Sequence, residues 1–174
     1  MWILAKVLLA LLLAVHPAVA QSQFTDADRT SPVADVAKQV LTDPTTYVPA
    51  SLLYVSMKLD WNSSQPLFQL GYVEDNPRYT RTGLPQDAPI SYGAGNRKLL
   101  MQSLAILPSS MANNAINRVV QRGLTARFPH SRKLWSVLSW TERAVFASYT
   151  SYVISSPHFE QWKKNQQMIE AQRN

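Results

Sequence analysis

The chain has 174 residues, contains no cysteine and carries a net charge of +6 at pH 7. The absence of cysteine excludes disulfide scaffolds, thiolate-bound zinc and cysteine nucleophiles. The length suffices for one ordinary domain, which can bury enough apolar surface to fold without covalent cross-links.

The first twenty residues have the pattern of a secretory signal peptide. Lys6 supplies a positive charge, residues 7–15 are almost entirely aliphatic, and Ala18-Val19-Ala20 is a typical cleavage pattern. We therefore expect cleavage before Gln21, a flexible polar leader over residues 21–30, and a mature protein in the periplasm or outside the cell. An uncleaved signal that tethers the chain to a membrane is the alternative. The lack of disulfides in an exported chain favours a bacterial envelope.

Three helices are predicted before residue 73. Ser31 is a suitable N-cap, and Pro32 suits the first helical position of a segment that ends at Asp43-Pro44. A second helix is predicted from about Ala50 to Trp61, followed by turn residues 62–64. A short third helix is predicted over residues 65–72, because its apolar residues are Leu67, Phe68 and Leu70.

Residues 73–93 interrupt every periodic pattern. Pro77, Gly83, Pro85 and Pro89 lie among polar residues in this stretch. An irregular connection of this length is uncommon in a compact domain and is often a lid or a binding loop. A long wrap over the helices, fixed by its tyrosines, is the other interpretation.

The remainder of the chain is predicted to be helical. The predicted helices cover residues 95–107, with a stop or kink at Pro108, then 110–128, 131–154 and, after Ser156-Pro157, a last segment to about 171. No alternating apolar pattern with hairpin turns occurs. We expect an all-α, single-domain bundle of about five to seven helices over residues 31–174. No transmembrane helix is expected after cleavage, because Glu142 and Arg143 interrupt the longest later apolar stretch.

The charge is distributed unevenly along the chain. Residues 21–90 contain five Lys and Arg against eight Asp and Glu, whereas residues 91–174 contain eleven against three. No acidic residue occurs between Asp87 and Glu142. This asymmetry predicts either an anionic partner or an internal acidic surface that pairs with the basic half. A solvated basic face without a ligand is the simplest interpretation.

A candidate anion site lies where the irregular segment ends. Gly93 and Gly95 would let backbone amides approach a ligand, and the helix N-terminus with Arg97 and Lys98 would add positive charge. Asn96 completes the segment. The spacing of these glycines matches neither the P-loop nor the dinucleotide fingerprint. The alternative interpretation is that the two glycines close the loop onto the helix.

The two central helices contain a second candidate. At 100° per residue, Glu142 lies in an apolar stripe that includes Trp135, Leu138, Val145, Phe146, Tyr149 and Val153. In helix 110–128, Arg127 lies on the apolar side with Ile116, Val120 and Leu124, while Arg118 and Arg122 lie on the opposite, exposed side. Glu142 and Arg127 are thus predicted to form a buried interhelical ion pair. Alternatively, Glu142 is an acid or base in a pocket beneath residues 73–93.

These patterns favour an exported helical binding protein of the bacterial envelope. The predicted partner is an anionic lipid, a glycan or an acidic protein, bound through Gly93, Gly95, Asn96, Arg97, Lys98, Arg118 and Arg122. The alternatives are a hydrolase-like envelope enzyme that uses Glu142 and a structural module that docks on another envelope protein. Neither a metal nor a cofactor is predicted, since His130 and His158 are isolated. A nucleic acid is not an expected partner.

Overall fold

The computed structural model describes residues 32–172, and the predicted signal peptide, leader and Ser31 cap lie outside this range. The all-α prediction is confirmed. The described residues form five α-helices, which we name α1 to α5: Pro32–Leu41, Val48–Gln69, Tyr92–Leu104, Leu107–Arg127 and Arg132–Ala171. Short 3-10 turns cover Pro44–Thr46, Pro77–Tyr79 and Pro129–Ser131. From residue 32 to residue 172 no helix is long and apolar enough to cross a membrane.

The seven helical segments predicted in chain order correspond to five helices within residues 32–172, because predicted neighbours are continuous. The predicted helices on either side of residues 62–64 are both part of α2, in which Ser63 and Ser64 donate side-chain hydrogen bonds to the Asp60 carbonyl. The helix α5 likewise continues through Pro157. A proline removes one helical hydrogen bond. Here buried residues on both sides of it, Ser155 and Asn165, keep the helix packed.

The chain divides into two compact units. Among the described residues, unit 1 consists of residues 32–46 and 108–147, and unit 2 consists of residues 47–107 and 148–172. Unit 1 thus contains α1, most of α4 and the first part of α5. Unit 2 contains α2, α3 and the last part of α5. The prediction of one domain over residues 31–174 stays a prediction.

Unit 1 is held together by a buried polar network centred on Asp43. One carboxylate oxygen of Asp43 accepts hydrogen bonds from Arg118 at 2.6 Å and from Arg143 at 3.0 Å. The other accepts from the backbone and hydroxyl of Thr45. Burial alone would raise the pKa of Asp43, but the hydrogen bonds from Thr45 and Arg118 outweigh it and hold the pKa below 3.8. A buried charge is tolerated only with such partners.

The inward faces of α4 and α5 in unit 1 therefore differ from those expected. On the apolar side of α4, Ile116, Val120 and Leu124 are only half-buried, and the neighbouring Val119 has an exposed fraction of 55%. The opposite face is turned inward, where Asn114 is buried and donates to the hydroxyls of Thr45 and Thr46. In the part of α5 that belongs to unit 1, the buried residues are Ser139, Arg143 and Ala147, whereas Leu138 and Val145 of the predicted stripe are exposed. Tyr149 and Val153, the stripe residues that lie in unit 2, are exposed as well. The polar faces of α4 and α5 pack inward because they bind Asp43, Thr45 and Thr46, which lie far away in the sequence.

Unit 2 has the apolar core. Leu53, Met57 and Trp61 of α2 pack with Leu99 of α3 and with Tyr79 of the irregular segment. The irregular segment was predicted over residues 73–93, and the structure confirms it between the end of α2 and Tyr92. It folds back on itself through two isolated antiparallel bridges, Glu74 with Asp87 and Thr80 with Pro89. Tyr79, in the core, and the hydrogen bond from Lys98 to the Arg78 carbonyl hold the segment against α2 and α3.

Candidate functional site

Unit 2 contains a cavity of about 490 Å³. Its walls are contributed by α2, by the irregular segment and by the part of α5 that follows Pro157. The polar residues on these walls include Asp60, Ser64, Glu74, Asp75, His158 and Asn165. The prediction of a pocket associated with residues 73–93 thus has a counterpart in the structure, although Glu142 is not among its lining residues.

Two of the lining residues form a pair between α2 and α5. The Nδ1 atom of His158 lies 3.0 Å from Oδ2 of Asp60, and both side chains are partly buried. Because residues three and four apart share a helix face, Asp60, Ser63 and Ser64 lie together on α2. On α5, His158 and Asn165 are seven residues apart and share the facing side. Two helix faces of complementary polarity therefore meet here.

Asn165 holds this arrangement rigidly. Its side chain has an exposed fraction of 2%, and its amide donates to the hydroxyls of Ser63 at 3.0 Å and Ser64 at 2.9 Å. Its amide oxygen accepts from Gln161 at 2.9 Å. A buried amide with its hydrogen bonds made orients the side chains beside it.

Glu74 adds a carboxylate from the irregular segment. It accepts a hydrogen bond from the backbone amide of Asn76 at 2.8 Å. Burial raises the pKa of Glu74 above 4.5, the hydrogen bond from Asn76 opposes this, and the nearby charges of Asp60 and Asp75 raise it further. The cavity therefore brings together carboxylates that repel each other electrostatically.

The apolar wall of the cavity is aromatic. The indole of Trp61 has an exposed fraction of 4%, and its ring centroid lies 5.8 Å from that of Phe68 and 5.5 Å from that of Tyr79. Tyr79 in turn donates to Gln102 at 2.9 Å. Gly95 packs directly on the indole, because a Cβ there would overlap Cζ2 and Cε2 and lie 2.8 Å from Nε1.

The cavity has an excess of negative charge and hydrogen-bonding groups. Three carboxylates, those of Asp60, Glu74 and Asp75, and one histidine line the cavity together with aromatic side chains. Such a site suits a small cation, because carboxylates and ring faces both attract positive charge. Among residues 32–172, no group of three or more His, Cys, Asp or Glu side chains is arranged to hold a metal ion.

A second concavity, of about 380 Å³, lies in unit 2 and shares Tyr79 with the first. Its other residues are Arg78, Arg97, Lys98, Met101 and Gln102, and we call it the basic groove. Lys98 donates to the Arg78 carbonyl at 2.6 Å. Two residues of the predicted anion site, Arg97 and Lys98, thus lie in the basic groove. Arg78 lies there with them and was not part of the predicted site.

The other members of the predicted glycine-rich site have different surroundings. Gly95 packs under Trp61, so its lack of a side chain serves the packing of α3 on α2. Asn96 accepts from Lys58 at 2.5 Å. Ser91 caps α3 by accepting from the Ala94 amide, and no heavy atom lies within 4 Å of a Cβ built at Gly93.

Arg118 and Arg122 form ion pairs within unit 1. The Arg118 side chain has an exposed fraction of 15% and bonds Asp43 and Gln39. Arg122 pairs with Asp35 and also donates to the Pro32 carbonyl at 3.2 Å. The internal acidic surface expected as an alternative to an anionic ligand is thus present, since acidic residues near the N-terminus pair with arginines from the basic half.

The structure places the predicted pair, Glu142 and Arg127, on different helices of unit 1. Glu142 is half-buried on α5. The Arg127 guanidinium, at the end of α4, lies 5.8 Å from the ring centroid of Phe128. The ion pair between Glu142 and Arg127 stays a prediction.

Sequence reasoning missed the pairing of Asp60 with His158. His158 was interpreted as a surface or helix-end residue, and its partner lies 98 positions away. A signal did exist, because Asp60, Ser63 and Ser64 on one helix and His158, Gln161 and Asn165 on another are polar residues at helical spacing. No family model, curated protein or solved structure matches the chain.

Proposed function

We propose that this chain is a binding protein whose unit 2 cavity takes a small organic cation that carries a hydroxyl group. The presence of Asp60, Glu74 and Asp75 among the lining residues of a cavity with aromatic walls supports this proposal most strongly. The excess of carboxylates disfavours an anionic ligand at the same place. The polar groups of His158 and Asn165 provide partners for a ligand hydroxyl.

The electrostatics of Glu74 supply a driving force for cation binding. Burial and neighbouring carboxylates raise the pKa of Glu74, so its ionised form is disfavoured in the empty cavity. A cation about 4 Å from a carboxylate near a protein surface gains roughly 4 kcal/mol of attraction before desolvation is subtracted. Ligand binding would therefore stabilise the ionised form of Glu74 and lower its pKa.

A matched pair of ligands tests the charge requirement. Choline and 3,3-dimethyl-1-butanol have nearly the same shape, but only choline is charged. We expect isothermal titration calorimetry to detect binding of choline and little or none of the alcohol. Equal binding of both compounds, or preferential binding of acetate or phosphate to the cavity, would contradict the proposal.

Two matched substitutions localise the site. Glu74→Gln removes a cavity charge while keeping an acceptor for the Asn76 amide, and we expect it to weaken choline binding about tenfold, a difference of ~1.4 kcal/mol. Glu160→Gln makes the same change at an exposed position of α5 outside the cavity and should leave binding unchanged. An equal effect of both substitutions would indicate a general charge effect rather than a site.

Acid–base catalysis in the same cavity is a second candidate function. The observation that favours it is the contact between His158 Nδ1 and Asp60, which would orient the imidazole and leave Nε2 available as a base. Glu74, with its raised pKa, would be the acid in place of Glu142. Hydrolysis of chromogenic esters that is lost in His158→Gln would support this candidate, and an equal background rate in both proteins would exclude it.

Export to the bacterial envelope is part of the proposal. It is supported by the pattern of residues 1–20, with Lys6, the aliphatic run and Ala18-Val19-Ala20. N-terminal sequencing of the protein recovered from the periplasm of a bacterial host should give Gln21 as the first residue. Recovery of a chain that begins at Met1 would contradict cleavage.

A further inference from the structure

The outer face of α3 combines basic and apolar side chains. Met101 has an exposed fraction of 63%, and Leu100 and Leu104 are also exposed. Together with Arg97 they have the spacing i, i+3, i+4 and i+7, which places them on one side of the helix. Apolar side chains that share one exposed helix face form a surface against which another apolar surface can pack.

Positive charge lies beside this row without internal compensation. The basic groove brings Arg78, Arg97 and Lys98 together, and α3 contains no Asp or Glu. None of the ion pairs found within residues 32–172 includes any of these three side chains. They differ in this respect from Arg118 and Arg122, which pair with aspartates. The charge of the groove is therefore available to an external anion.

We propose that this face of α3 and the basic groove dock the protein on an anionic lipid surface. Arg78, Arg97 and Lys98 would contact phosphate headgroups, while Leu100, Met101 and Leu104 would enter the boundary between headgroups and acyl chains. The apolar row favours a bilayer over a free phosphate or a soluble glycan, since neither would cover it. The proposal goes beyond cation binding and rests on residues other than the acidic ones of the cavity.

Vesicle co-sedimentation tests the docking surface. The chain recovered after export, with the same N-terminus in every variant, is mixed with phosphatidylcholine vesicles that contain about one third phosphatidylglycerol. Each basic residue near an anionic surface contributes about fivefold to binding, so Arg97→Gln with Lys98→Gln should weaken it roughly 25-fold. Leu100→Gln with Met101→Gln should also weaken it severalfold.

The chain offers a matched control for the basic pair. Arg132 and Lys133 are likewise adjacent and exposed, but they lie at the start of α5 in unit 1. Replacing both by Gln changes the net charge equally and should leave vesicle binding nearly unchanged. An equal loss in both double variants would overturn the proposal in favour of non-specific attraction. All substituted side chains are exposed, so circular dichroism should show unchanged helicity.

Three further results would overturn lipid docking. Equal binding to vesicles of phosphatidylcholine alone would exclude the headgroup charge as the determinant. The groove would be assigned to a soluble anion if two results were found together. These are binding of inorganic phosphate or heparin as strong as binding to vesicles, and no effect of the Leu100 and Met101 substitutions. Undiminished vesicle binding at high salt would also contradict it, because exposed charges are screened.

Discussion

Gly95 is the position at which the packing of unit 2 makes the clearest prediction. It lies within α3, where Gly→Ala ordinarily stabilises a helix by about 1 kcal/mol. At Gly95, however, an added Cβ would overlap two indole carbons of Trp61 and lie 2.8 Å from Nε1. Ordinary contacts between carbon atoms are ~3.5–4.0 Å, so the indole would have to move by roughly 1 Å.

Trp61 has little room for such a movement. Its side chain is almost completely buried, and the rings of Phe68 and Tyr79 pack against it. Overpacking a core in this way typically costs about 1–3 kcal/mol. After the gain in helix propensity is subtracted, we expect Gly95→Ala to lower the free energy of unfolding by up to about 2 kcal/mol.

Gly123 provides the control for this substitution. It lies inside α4, and no heavy atom is found within 4 Å of a Cβ built there. Gly123→Ala should therefore stabilise the protein by about 0.5–1 kcal/mol. Urea unfolding followed by circular dichroism measures both variants. Stabilisation by Gly95→Ala, or destabilisation of equal size by both substitutions, would refute the packing argument.

Three other substitutions test the polar contacts. Asp43→Asn leaves Arg118 and Arg143 without their counter-charge and should lower the free energy of unfolding at pH 7 by about 3 kcal/mol. The pKa of Asp43 in the folded protein lies below 3.8, so the difference in free energy of unfolding between the wild type and Asp43→Asn is complete above that pH. This difference should shrink as the pH falls through the folded pKa. Urea titrations at pH 7 and pH 3 would detect the change. Glu74 should have the opposite effect on stability. Its pKa is raised in the folded protein, so its ionisation destabilises the fold at pH 7. Glu74→Gln should therefore increase the melting temperature at pH 7 and have little effect below pH 4.5. A lower melting temperature of this variant at pH 7 would contradict that prediction. Asn165→Ala removes the donor to Ser63 and Ser64 and should lower the free energy of unfolding, measured with urea, by about 1–3 kcal/mol. A change near zero would mean that water replaces the amide.

The sequence was sufficient to predict the helical class and the irregular segment. Helical spacing of apolar residues and the cluster of prolines after residue 73 are local signals, and both are visible without tertiary information. The ends of helices were less predictable. Pro157 is a strong local signal for a break, but tertiary packing on both sides of it keeps α5 continuous.

The inward faces of unit 1 could not be predicted from apolar periodicity. Arg143 is buried and Arg118 is half-buried because both bind Asp43, which is 100 and 75 positions away along the chain. Without that contact, the charged face of each helix would be expected to face solvent. The pairing of Asp60 with His158 likewise joins residues that are 98 positions apart in the sequence. Contacts of this kind become visible only when the helices are brought together.

Proton release on ligand binding tests the proposed cation site most directly. Choline is titrated into the protein near pH 5 in two buffers with different ionisation enthalpies, with Glu74→Gln measured alongside. A cation beside Glu74 must lower the pKa of its carboxyl group, so the wild-type protein should release protons on binding and the variant should release fewer. Binding without proton release, proton uptake, or equal release by both proteins would contradict a cation site at Glu74.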